Sequence, residues 1–252
     1  MGIKIFTDST SDIPGELVKK YGIERLPLTV NFGGEEYRDG VDITSEEFLV
    51  KLRQSAEVPS TSQITPSAFV SAYRDELNKG NGIISIHIAS ELSGTYQSAV
   101  TAKTMLGSEN ITVIDSKTCS VALGMAVLKA ARLASDGLGR AEIAEKVEEY
   151  KKNLRMFVAV DTLVYLKKGG RVSSLRAALG SIFNIKPILM MAGGKVDVLE
   201  KVRGEGRIYK KLMEIIKKTG RLREGSTIGI ANVLCPEKVE IFKRMILDEI
   251  GK

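Results

Sequence analysis

Three short stretches hold the side chains best suited to grip an anion. In Ser90-Glu91-Leu92-Ser93-Gly94-Thr95-Tyr96 a strand-like run ends at Ala89 and a helical pattern continues through Met105, which sets Ser93 at or near a helix N-cap. A helix start leaves backbone N–H groups unpaired and carries partial positive charge, so an anion can dock there. The Ser93 hydroxyl adds a donor, and Gly94 permits close approach. The second stretch, Pro59-Ser60-Thr61-Ser62-Gln63-Ile64-Thr65-Pro66, carries four hydroxyls and an amide but no charge. Neutral donors suit a carboxylate held without a buried salt bridge, whose desolvation cost often cancels its attraction. In the third, Leu166-Lys167-Lys168-Gly169-Gly170-Arg171-Val172-Ser173-Ser174, two glycines and a guanidinium precede a helical pattern. Arg171 can pair bidentately with a carboxylate or phosphate. Each stretch also has a purely structural reading: Ser93 and Thr65 as helix caps, the remaining hydroxyls as turn chemistry, and Lys167 and Lys168 as basic residues closing a helix stopped by glycine.

Signatures of catalysis are scarce. The sequence contains no G-x-G-x-x-G, no G-x-x-x-x-G-K-[ST] and no G-x-S-x-G. A Ser/His/Asp triad would have to recruit His87, the one histidine, which lies within an apolar run and reads as a packed strand residue. Asp8-Ser9-Thr10 follows the first strand as phosphoryl-transfer aspartates do, but it lacks their second aspartate. The two cysteines, Cys119 and Cys235, are far apart without C-x-x-C spacing, so neither a disulfide framework nor a zinc site is indicated, and both read as small hydrophobes. The enzyme that these residues could still form would act on a small acyl or phosphorylated substrate in a cleft of Asp8, Ser93, Asp115 and Arg171.

The chain has 252 residues, 43% hydrophobic and 27% charged, an ordinary globular composition that is long enough for one large or two small domains. No apolar run is long enough to span a bilayer, and the start at Met1-Gly2-Ile3-Lys4 lacks the basic flank and apolar stretch of a secretory signal, which predicts a cytoplasmic protein. Charge is uneven: residues 1–126 hold 11 Lys+Arg against 16 Asp+Glu, net −5, and residues 127–252 hold 26 against 15, net +11. The basic half suits an anionic partner or a solvated lysine-rich surface. Nucleic acid is not expected, because the aromatic share is 6% and no recognition motif is present.

The elements that must position these residues follow from periodicity. Ile3–Thr7, Gly82–Ala89 and Ile111–Asp115 are short apolar runs followed by helical patterns, as in parallel strands buried on both faces. Leu26–Phe32 reads as one further strand turned at Gly33-Gly34, and Thr44-x-x-Glu47 as a capping box for a helix through Leu52. Val58–Thr65 reads as a polar loop before a helix at Pro66. Strands alternating with helices predict an α/β fold with a doubly wound parallel sheet, whose ligands bind beyond the carboxyl ends of the strands. The hydroxyl-rich turns Asp8–Asp12, Ala89–Thr95 and Asp115–Ser120 all fall at that end. Beyond Asn153 the pattern changes to strands at Met156–Val160, Ile185–Met191 and Val196–Val202, helices at Ser173–Ile182 and Gly206–Lys218, and a strand-helix pair from Thr227 to Ile250. This predicts an N-terminal α/β domain over 1–153 and a C-terminal α+β domain over 154–252.

Taken together, the motifs Asp8-Ser9-Thr10-Ser11-Asp12-Ile13-Pro14, Thr61-Ser62-Gln63 before Pro66, Leu92-Ser93-Gly94-Thr95-Tyr96, Ile114-Asp115-Ser116, Gly169-Gly170-Arg171 and Asn184-Ile185-Lys186-Pro187 resemble the DegV family in order and spacing, to about Arg203. The resemblance implies a parallel-sheet N-terminal domain and a mainly antiparallel C-terminal domain that completes a pocket for one long-chain fatty acid such as palmitate. It implies that Thr61 and Ser93 bond the carboxylate, with Gly94 and Arg171 nearby, and that no cofactor or metal is needed. It also implies a lipid-binding carrier rather than an enzyme. Such a carrier presents its ligand to a separate ATP-dependent fatty-acid kinase for lipid metabolism or transport, with transient membrane contact possible. The chain departs from the family in carrying Asn232 where a histidine is frequent, and it stops at Lys252 without the family's Thr-His-x-Gly-Pro-Gly-like closing run. The replaced histidine bears on phosphorylation more than on binding.

Overall fold

A computed structural model of the chain describes residues 2–171, 185–219, 222 and 224–250. The expected helix at Ser173–Ile182 and the motif residue Asn184 lie outside these. Two compact units are present, Met1–Leu154 with Ala192–Lys195, and Arg155–Met191 with Val196–Lys252.

The first unit is built on the three apolar runs. β1 (Ile3–Asp8), β6 (Gly82–His87) and β7 (Ile111–Asp115) form a parallel sheet with the short β2 (Glu24–Leu26), in the order β2-β1-β6-β7. Successive side chains on a strand point to opposite faces, and the two faces are filled accordingly. Phe6, Ile83 and Ile111 pack with Phe69 and Tyr73 of α3 (Pro66–Asn78) and Ala99 and Ala102 of α4 (Thr95–Leu106). Ile5, Ile84, Ile86 and Ile114 pack with Leu123 and Val127 of α5 (Ser120–Ser135) and Ile143 and Val147 of α6 (Arg140–Asn153). Every residue of β6 is buried, so each isoleucine there contributes about 2 kcal/mol of transfer free energy. With helices on both faces, the sheet leaves only its strand ends open to a ligand.

A second, antiparallel sheet runs in the order β4-β3-β5, with β3 at Thr29–Phe32, β4 at Glu35–Arg38 and β5 at Ser60–Ser62. Gly33 and Gly34 turn the β3–β4 hairpin with φ of 58° and 95°, a conformation open to glycine. Val30, Phe32 and Ile43 fill its small core with Phe48 and Leu52 of α2 (Ser45–Gln54). The expected capping box is formed: Thr44 accepts from the Glu47 amide at 3.2 Å, and Glu47 accepts from the Thr44 amide at 2.8 Å. Two expectations are corrected here. The single strand over Leu26–Phe32 is two, divided at Pro27, which has no N–H to give a ladder. Its first part pairs with β1 and its second enters the other sheet. The polar loop also contains β5, an edge strand with no apolar alternation to announce it, in which Thr61 stands opposite Val30.

In the second unit β8 (Phe157–Ala159) lies antiparallel to β9 (Ile185–Ala192), and β10 (Lys195–Arg203) flanks β9 beyond the Gly193-Gly194 turn. After β8 comes the short α7 (Val164–Gly169). Ile188 and Val202 pack against Ile208, Leu212 and Met213 of α8 (Ile208–Lys218) and Phe242 and Ile246 of α9 (Pro236–Ile250). The strand expected from Thr227 does not form. A strand is held by a ladder to a neighbour, and this sheet runs only from β10 to β8 among the described residues, which leaves Ile228 and Ile230 exposed.

Candidate functional site

The three hydroxyl-rich turns come together at the carboxyl end of the parallel sheet and are bonded to one another. From β1, the Asp8 carboxylate reaches across to β6, where one oxygen accepts from the Ile88 amide at 3.0 Å and pairs with His87 Nδ1 at 3.0 Å. Its other oxygen accepts from the Thr10 amide at 3.1 Å and the Thr10 hydroxyl at 2.5 Å, which folds the turn Ser9–Ser11 back on the strand. The β6 turn is tied to the β7 turn by Ala89 N–H donating to the Thr118 carbonyl at 2.8 Å and Ser90 N–H donating to Asp115 at 3.3 Å. The β7 turn closes on the β1 turn through the Ser120 hydroxyl, which donates to Asp12 at 2.5 Å. Asp12, Lys117 and Ser120 all hold positive φ, at 47°, 57° and 52°, so backbone strain is concentrated at this end of the sheet.

Behind the turns runs a buried polar chain. Tyr73 donates to Ser85 Oγ at 2.6 Å, and Ser85 lies 2.6 Å from His87 Nε2. Asp8 as a carboxylate can only accept, so His87 donates to it from Nδ1, and the Nε2 of that neutral tautomer accepts from the Ser85 hydroxyl, which itself accepts from Tyr73. Asp8, His87 and Ser85 are wholly buried, and Phe69 stands edge-on to the imidazole with centroids 4.9 Å apart. The Asp–His–Ser order of a hydrolase is present, but all three side chains are enclosed in the interior, where the network stitches β1 to β6. Burial pushes the Asp8 carboxyl up, yet the bonds from His87, Thr10 and Ile88 outweigh it and hold the group below the usual carboxylate range. Burial keeps Asp12 above that range despite Ser120, and drives the Cys119 thiol up to about 11 with help from the Asp12 and Asp8 charges. That thiol is therefore protonated and inert near neutral pH. The cleft of Asp8, Ser93, Asp115 and Arg171 loses Asp8 to the interior, while Asp115 is engaged by Lys117 at 2.7 Å.

The segments that carry Ser93 and Thr61 are connected through Gln63. Ser93 sits one residue before Gly94, the N-cap of α4, and its hydroxyl accepts from the Thr95 amide at 3.3 Å and lies 3.0 Å from the Thr95 hydroxyl. Thr61 is exposed on β5. Two residues on, Gln63 reaches over α4 and donates from Nε2 to the buried Ser98 hydroxyl at 3.0 Å, its amide lying against Gly94. Sequence reasoning places Gln63 in the polar loop but gives it no role of its own. A long neutral side chain beside the hydroxyl loop was the signal, and its partner Ser98 is a residue that only the folded chain brings near. Arg171 belongs to the second unit, where its guanidinium donates to the Gly169 carbonyl at 2.6 Å. Among the described residues no group of His, Cys, Asp and Glu is placed to hold a metal ion.

The hydroxyl-rich turns thus gather at the carboxyl end of the parallel sheet, the end at which sheets of this kind hold their ligands. The family-wide pattern of the DegV proteins, a family described as uncharacterised, matches residues 2–252, and the chain belongs to that family. A DegV domain-containing protein of Caldanaerobacter subterraneus subsp. tengcongensis is 43% identical over 218 residues, 86% of this chain and 78% of the relative. A solved DegV family protein of Thermus thermophilus, reported with fatty acid binding, superposes with TM-score 0.81 at 36% identity over 88% of this chain and 80% of its own. DegV of Bacillus subtilis, a fatty acid binding protein, superposes with TM-score 0.78 at 35% identity, covering 87% and 78%.

Proposed function

We propose that this protein binds one long-chain fatty acid such as palmitate, with the carboxylate held by the hydroxyls of Thr61 and Ser93, and presents it to a separate fatty-acid kinase without performing chemistry itself. The observation that carries the reading is the joining of two hydroxyl-bearing segments, thirty-odd residues apart in sequence, through Gln63 across the start of α4. These segments offer hydroxyl donors and the partial positive charge of a twelve-residue helix, which together orient a carboxylate without the desolvation cost of a buried ion pair. Solved relatives that bind fatty acid support the ligand class. Gly94 contributes backbone at the same turn.

Mass spectrometry of lipid extracted from the purified protein is the test. Fatty acid should co-purify, and added palmitate should raise the melting temperature; protein that carries none and does not respond to palmitate overturns the reading. Replacing both hydroxyls, Thr61→Val with Ser93→Ala, should weaken palmitate binding by about 1–3 kcal/mol, the sum of two modest hydrogen bonds. The fold should stay intact, because neither residue is buried. Unchanged binding removes the site assignment while leaving the ligand class standing.

A further inference from the structure

Gly94 raises a question that its backbone does not answer. Its φ of −69° and ψ of 0° are open to any residue, so no conformational demand calls for glycine there. The demand is steric. A Cβ at position 94 would stand 1.9 Å from Gln63 Oε1, 2.7 Å from its Cδ and 3.0 Å from its Nε2. The Gln63 amide thus occupies the space of the missing methyl group, and from there its Nε2 reaches Ser98, one turn further along α4 and 3% exposed. Backbone hydrogen bonds meanwhile fix both ends of the bridge. Thr61 is registered against Val30 in the antiparallel sheet, and Ser93 is held by its amide donating to the Ala89 carbonyl at 3.2 Å.

We infer that Gln63 is a positioning residue for the head group, a side-chain clamp lying in the notch left by Gly94 that sets the spacing between the Thr61 and Ser93 hydroxyls. The inference rests on the fatty-acid reading and adds to it the residue pair that makes the two donors act as one site. Ser60–Ser62 is an edge strand of three exposed residues with few side-chain ties of its own, so its distance from α4 depends on what bridges the gap. Two hydroxyls can converge on one carboxylate only within the narrow range of hydrogen-bond lengths. The obstacle at Gly94 is the tip of a flexible side chain, so Gly94→Ala swings Gln63 aside without forcing backbone to move. Ser98, once released, can donate back to the carbonyl four residues earlier in its own helix. The fold therefore tolerates both changes, and the clamp does not survive either.

The experiment compares wild type, Gln63→Ala, Gly94→Ala and the double variant by calorimetric titration with dodecanoic acid and with dodecan-1-ol, which share a tail and differ in the head group. Each single variant should lose about tenfold in affinity for the acid, the scale of one hydrogen bond. Affinity for the alcohol should stay within about twofold, and the melting temperatures of the ligand-free proteins should agree within a few degrees. The double variant should bind the acid no worse than either single, because alanine at 63 vacates the space that a methyl group at 94 needs. Equal losses for acid and alcohol, additive losses in the double variant, or unchanged acid binding would each overturn the clamp while the fatty-acid reading stands. Wild-type protein that binds neither compound overturns the fatty-acid reading itself, and the clamp falls with it.

Discussion

Asp8 shows how a residue type with obvious chemical potential can be given over to architecture. Its carboxylate takes four hydrogen bonds and has no exposure. Because its folded pKa lies below the ordinary value near 4, the stability it contributes is fully present above that value and is lost as the pH falls through and below it. Asp12 runs the other way. Burial raises its folded pKa, so folding favours the protonated form and this group stabilises as the pH drops from above its raised value toward 4. Asp8→Asn should therefore cost on the order of 3 kcal/mol at pH 7, the scale of a broken buried pair. Its penalty should shrink in denaturation curves taken below about pH 4, and a penalty constant from pH 7 to 3 would contradict the assignment. Residue-level reading of the sequence saw Asp8 as a candidate for catalysis and His87 as packing. It could not join them, because the residues are 79 apart and only the parallel pairing of β1 with β6 makes them neighbours.

Elements were legible where one local rule decided them. The buried parallel strands announced themselves as isoleucine-rich runs, and the Thr44–Glu47 box and the Thr65–Pro66 start formed as their spacing requires. They were illegible where a distant partner decided. Ser60–Ser62 is a strand only because β3 pairs with it, and Thr227 onward is not one because no ladder meets it among the described residues. The glycines of the two long helix starts divide in the same way. Gly94 faces a movable side-chain tip, whereas a Cβ on Gly124 of α5 would stand 2.4 Å from the Ser11 carbonyl oxygen, a backbone atom held in the turn after β1. Gly124→Ala should accordingly destabilise the protein by about 1–3 kcal/mol through overpacking, while Gly94→Ala should be nearly neutral in the same urea titration. Equal midpoints for the two variants would mean that the turn yields as easily as a glutamine side chain.

On the scale of the whole molecule, a few hydroxyls cannot supply the affinity of a carrier. Each neutral hydrogen bond contributes about 1 kcal/mol net, and a buried methylene about 0.8 kcal/mol, so a tail of a dozen or more carbons outweighs the head group several-fold. A sequence would carry such a division of labour poorly. Donor loops are short motifs that can be read one residue at a time, whereas an apolar lining draws on residues from many elements that look like any other core. Family resemblance supplied the proposed head-group residues for the same reason, since Thr61, Ser93, Gly94 and Arg171 sit in recognisable strings. The consequence can be measured as a slope. If affinity comes from the tail, adding two methylenes in the series from decanoic to hexadecanoic acid should tighten binding by about 15-fold per step until the cavity is filled. The same slope should persist in the Thr61→Val, Ser93→Ala variant, displaced to weaker binding by a constant amount. A flat series in wild type would place the affinity in the head group, and a slope that changes in the variant would mean that the hydroxyl pair also governs how the tail is seated.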